Sequence, residues 1–120
     1  MKSEEITNSA LFEMAHYSHA TTGLPANIII WVRTQPQALP HNKYRVKVTK
    51  NKESSVTFAV WDTKKQFDKT DVVKDQLSGR EERLIKDFIK KYKSLIISHV
   101  DGKIDSTMLG MEIIKIRGME

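Results

Sequence analysis

Hydrophobic and polar positions change their period several times along this chain, and each change marks an element. Ile28–Val32 is an unbroken run of Ile, Trp and Val, the composition of a strand covered on both faces. Tyr44, Val46 and Val48 then alternate with Arg45, Lys47 and Thr49, and Val56, Phe58 and Val60 alternate with Thr57, Ala59 and Trp61. A period of two predicts strands with one wet face. The Lys50–Ser54 connection has hairpin length, so the three runs form an antiparallel meander. Pro36 and Pro40 keep 35–42 out of any strand interior.

The period then lengthens. Ser78-Gly79-Arg80-Glu81 fits the Ser-x-x-Glu capping box, in which serine and glutamate satisfy each other's orphan amides. Leu84, Ile85, Phe88, Ile89, Tyr92, Leu95 and Ile96 follow at helical spacing, a continuous apolar stripe. Glu82–Lys86 and Asp87–Lys91 are correctly oriented i, i+4 pairs, and Asp101-Gly102 supplies a stop. One long helix from about 79 to 99 is therefore expected, packed on the dry face of the meander. Met111, Ile113, Ile114 and Ile116, set around Glu112 and Lys115 after Gly110, suit a last strand. Glu4–Ser18 fits helical and strand spacing alike; its Ala and Met content, with Ser3 ahead of two glutamates, favours a helix. Asp62–Leu77 is polar and reads as a loop anchored by Phe67, Val72 and Val73. The expected fold is one α+β domain over 1–120: an antiparallel sheet of three to four strands, one long amphipathic helix on one face, and an extra N-terminal helix.

Composition narrows the function classes. The chain has 120 residues, 39% hydrophobic, enough for a core without staples. Having no cysteine excludes a disulfide framework, a thiolate metal site and a cysteine nucleophile. The longest apolar run, Ile28–Val32, is far short of a membrane span, and the acidic opening Met1–Glu5 lacks the apolar stretch of a secretory signal. A cytoplasmic protein is the expectation. The net charge of +5 is unevenly placed. Residues 41–52 carry Lys43, Arg45, Lys47, Lys50 and Lys52 with no acid, and residues 80–100 carry six basic side chains against three acidic ones. Clustering of this kind points to a directed acidic partner. Lys43, Arg45 and Lys47 share one strand face, Lys50 and Lys52 follow at the turn, and Trp61 ends the next strand as a contact aromatic. Such a set could track a phosphate backbone. Arg83, Lys86, Lys90 and Lys93 form a second basic line on the polar side of the helix.

Catalytic signatures are sparse. His16 and His19 would face one side of a helix, but no His-Glu-x-x-His and no third ligand accompany them, so no metal site is expected. No nucleophile elbow, dinucleotide loop or phosphate loop occurs either, and no cofactor is expected.

From Pro40-His41 through strand, hairpin, strand, polar loop and amphipathic helix, the chain resembles a family of small uncharacterised bacterial domains. These are often encoded in toxin–antitoxin-style pairs and carry a buried first strand and a Pro-Pro-His-Phe-His loop. Ile28–Val32 matches that strand in character and Pro40-His41 the first half of the loop, whereas Asn42 and Lys43 stand where the family has Phe-His. The likeness covers about residues 27–100, is one of architecture, and implies a fold but no settled activity.

The function expected is that of a small non-enzymatic binding or regulatory module, an accessory of a mobile element or toxin–antitoxin-like pair. It would act through Lys43, Arg45, Lys47, Lys50, Lys52 and Trp61 on nucleic acid or an acidic protein surface. The alternative is a small metal-dependent hydrolase or nuclease using His41 with loop acids such as Asp62. An exposed strand over Met111–Ile116 would also pair with its copy in a homodimer.

Overall fold

The structure, a computed structural model, describes residues 14–33, 44–66 and 71–119. Among them the chain forms five strands and four helices, an α+β arrangement with an open, all-antiparallel sheet. The strands are β1 (Met14–Tyr17), β2 (Ile28–Arg33), β3 (Arg45–Lys50), β4 (Ser54–Ala59) and β5 (Lys65–Gln66), hydrogen-bonded in sequence order. The helices are α1 (His19–Thr22), α2 (Gly79–Lys91), α3 (Lys93–Val100) and α4 (Ser106–Gly118).

The meander of β2, β3 and β4 has the register its alternation demands. Ile30 faces Val48, Val32 faces Val46, and Val46 faces Phe58, so their side chains lie on one face of the sheet. All five are buried with Ile28, Tyr17, Ile85, Phe88, Ile89, Tyr92, Ile96, Val100, Leu109 and Ile113 in a single core. The opposite face carries the row His16, Trp31, Lys47, Thr57 and Gln66, one residue from each strand. Trp31 stacks against His16 at 5.0 Å and donates its indole N–H to Thr49.

Four expectations are corrected. First, the sheet gains β1 and β5, so it has five strands. The Met14–Tyr17 end of the segment read as helical is a strand, because Ala15 and Tyr17 can pair with the exposed edge of β2; residues 4–13 lie outside the described residues. Second, the expected single helix is two, interrupted at Tyr92, where φ and ψ are −104° and 17°. The amide hydrogen bonds Tyr92 to Phe88 and Ile96 to Tyr92 persist across the break, so it is a bend and not a loop. Third, Met111–Ile116 is helical, part of α4. Asp105 caps it, its carboxylate accepting the Met108 amide at 2.8 Å. Leu109, Ile113 and Ile116 face inward at helical spacing, so no strand edge exists there for pairing. Fourth, the Val72 and Val73 side chains are exposed and give the segment no apolar anchor, and Phe67 lies outside the described residues.

The segment before α2 is held by polar contacts instead. Ser54 Oγ accepts the amides of Lys74 and Asp75, and Ser55 N–H donates to the Val72 carbonyl at 2.7 Å. At the other end of the fold, α4 docks on α1. Gly110 lets it approach Tyr17, since a Cβ there would meet the ring at 3.3 Å. Arg117 donates to the carbonyls of Ala20 and Thr21. Burial pushes the Tyr17 hydroxyl up to about 12, with the Asp105 carboxylate adding to the shift, and this hydroxyl donates to the Ser106 carbonyl at 2.9 Å. No helix among the described residues is long and apolar enough to cross a membrane.

Candidate functional site

The basic hairpin does not assemble as one patch. Lys50 ends β3 on the helix-covered side, where its ammonium donates to Glu81 Oε1 and to the Gln76 carbonyl, each at 2.9 Å. The same Glu81 oxygen accepts the Ser78 amide at 2.8 Å while Ser78 Oγ accepts the Glu81 amide at 3.1 Å, so the capping box and the hairpin are one network. The Ser78 amide, and after it the Lys50 ammonium, hold the Glu81 carboxyl below the usual glutamate value. Lys47 lies on the opposite face and pairs with Asp71 at 3.3 Å. That carboxylate also accepts the hydroxyls of Thr57 at 3.0 Å and Ser55 at 3.1 Å. Two of the hairpin's cations are thus tied to acids from the 71–81 stretch, a pairing across 24 or more positions that no local pattern displays.

The remaining cations separate along the hairpin. Lys52 is exposed at the turn, where it and Asn51 adopt positive φ of 65° and 56°. Arg45 is half-buried at the far end of β3 and sits opposite Ala59. With a rise of about 3.3 Å per residue, the length of β4 sets these two ends about 20 Å apart. Lys43 and His41 lie outside the described residues.

At the Arg45 end an aromatic and basic corner forms around Trp61. Trp61 is 61% exposed. It sits on the tight turn from β4 to β5, closed by the Ala59 amide donating to the Lys64 carbonyl at 2.9 Å. Within that turn Asp62 Oδ1 accepts the Lys64 amide at 3.0 Å, and Thr63 is held at φ 59°. Positive φ is costly for a β-branched residue, and such strain gathers at binding sites. Tyr44 meets the Trp61 ring edge-on at 5.7 Å and donates its hydroxyl to Asp101 at 2.8 Å, which ties the corner to the end of α3. Lys93, the first residue of α3, places its ammonium 4.4 Å from the Trp61 ring centroid and donates to the Trp61 carbonyl at 3.3 Å. The bend at Tyr92 sets the start of α3 here. Lys93 is also the last member of the helical basic line, so that line ends at Trp61.

The sequence singled out Trp61 and Arg45, and named Lys93 only as part of a helix face. It missed Thr63, whose signal is an Asp-Thr turn directly after an exposed aromatic. Asp62 caps this turn and has no histidine beside it among the described contacts. His16 and His19 fall on different elements, and the His19 ring is engaged with the Leu24 carbonyl. His99 is buried, its Nδ1 3.1 Å from the Ile104 carbonyl. Among the described residues no group of three or more His, Cys, Asp or Glu side chains is placed to hold a metal ion. Comparison of the chain with family models, curated proteins and solved structures finds no match in any of the three.

Proposed function

We propose that this protein is a non-enzymatic binding module that holds single-stranded nucleic acid at the corner formed by Trp61, Tyr44 and Lys93. The observation that carries the reading is the exposed Trp61 ring, presented on a strained turn with a lysine ammonium over it. One side of the indole faces Lys93, and the exposed remainder offers a surface on which a base can stack. Lys93 stands where a flanking phosphate would run. The pairing of Lys47 with Asp71 and of Lys50 with Glu81 supports a compact contact at one end over a backbone track along the whole hairpin. An accessory role in a mobile element or toxin–antitoxin-like pair belongs to the same proposal.

Fluorescence anisotropy with labelled single-stranded oligonucleotides, titrated at two salt concentrations, tests it. Stacking on an aromatic is worth about 1–3 kcal/mol per base, so Trp61→Ala should weaken binding roughly 5- to 150-fold. Lys93→Ala should lower the salt slope by about 0.7, the value for one phosphate contact on a single strand. An affinity that Trp61→Ala leaves unchanged, or no binding at low salt, would overturn the reading.

A further inference from the structure

Seven large hydrophobic side chains stand well exposed among the described residues; three of them, Met108, Met111 and Ile114, belong to α4, and a fourth, Met119, is its C-cap. On a helix of 3.6 residues per turn these four fall on the side away from Leu109 and Ile113, which are buried in the core. A helix that is apolar on both sides is normally covered on both. The outer face is not a frayed end. α4 is capped by Asp105, bolted to α1 by Arg117 and set close against Tyr17 at Gly110.

We infer that this face is the interface of a homodimer in which two copies of α4 pack antiparallel about a two-fold axis. The face is complementary to itself in that orientation. In an antiparallel pair, the axis that sets Met108 opposite Met119 of the second copy also sets Glu112 opposite its Lys115, because both pairs share one midpoint, between Ile113 and Ile114. Two methionine contacts and two ion pairs therefore form together. Ile114 lies beside the axis and meets its own copy, and Gly118 leaves room for the Met111 side chain of the other helix. A parallel pairing would bring Glu112 against Glu112 and Lys115 against Lys115. Methionine is enriched at protein interfaces, and a two-fold contact uses the same patch on each subunit.

The contact is modest in size. A helix of 13 residues spans about 20 Å, which gives a strip smaller than the roughly 800 Å² per partner of a standard interface. The dimer should form and dissociate with concentration.

Size-exclusion chromatography with light scattering, run from about 1 μM to about 1 mM, tests the inference. The mass should rise from 13.8 kDa toward twice that value. Met111→Glu should stay at the monomer mass throughout, with an unchanged circular-dichroism spectrum, because Met111 is 63% exposed and outside the core. Glu112→Lys and Lys115→Glu should each weaken the dimer several-fold, and the double reversal should restore it. A monomer mass at every concentration overturns the proposal. So does a dimer that tolerates Met111→Glu, or a double reversal that fails to rescue the single ones.

Discussion

Asp71 offers the sharpest test of how the chain holds its hairpin. Its carboxylate accepts hydroxyl hydrogen bonds from Thr57 and Ser55 and faces the Lys47 ammonium. Asp71→Ala removes the acceptor of a Thr57 hydroxyl that is only 2% exposed. An orphaned buried hydroxyl costs about 1–3 kcal/mol. Lys47 keeps 22% of its side chain exposed and can turn its head to water, so losing the pair should add only about 0.5–1 kcal/mol. Ser55 retains the Val72 amide and adds less. The sum is about 3 kcal/mol, a large part of the stability of a domain of this size. It should appear as a fall of about 10 °C in Tm and of about 1–2 M in the urea midpoint. Thr57→Val alone should cost about 1 kcal/mol, since Asp71 keeps two partners. Combined with Asp71→Ala, it should remove the orphaned hydroxyl and recover about 1 kcal/mol, read from a double-mutant cycle of urea melts. A loss under about 0.5 kcal/mol for Asp71→Ala, or strict additivity of the two changes, would refute the reasoning.

Two further outcomes follow from local geometry. The Glu81 carboxyl is held below its ordinary value in the folded chain, so its stabilisation is full above that ordinary value and is lost as pH falls through the depressed one. Glu81→Gln keeps a capping-box side chain at the third helical position. It should cost about 1 kcal/mol at neutral pH and converge with the parent protein in acid, as measured by denaturant melts across pH; a constant offset at all pH would contradict the charge argument. Lys52 is exposed and sits at φ 65° beside Asn51, where Asn-Gly is the favoured hairpin pair. Lys52→Gly should therefore stabilise the fold by about 0.5–1 kcal/mol. It should also leave oligonucleotide affinity within about twofold, since the turn lies at the other end of β4 from Trp61. A loss of affinity matching Trp61→Ala would move the site to the turn.

What the sequence determined by itself is local. The alternation in β3 and β4, the apolar run of β2 and the Ser78–Glu81 cap were legible because each depends on neighbours within a few residues. A strand's period and a helix's first turn are written where they occur. Trp61 was legible for the same reason, as an aromatic ending a strand beside an acid. The tail was misread because Met108–Ile116 is apolar on most sides, so neither period stands out; Asp105 and the docking surface of α1 made it a helix. β1 was misread because its four residues carry both patterns, and the open edge of β2 decided between them. The hairpin's charge is the clearest case. Five cations without an acid within twelve residues look like a free basic surface. Only the fold brings Asp71 to Lys47 and Glu81 to Lys50, because a charge acts on whatever is near it in space, and the chain brings those acids in from beyond the next strand.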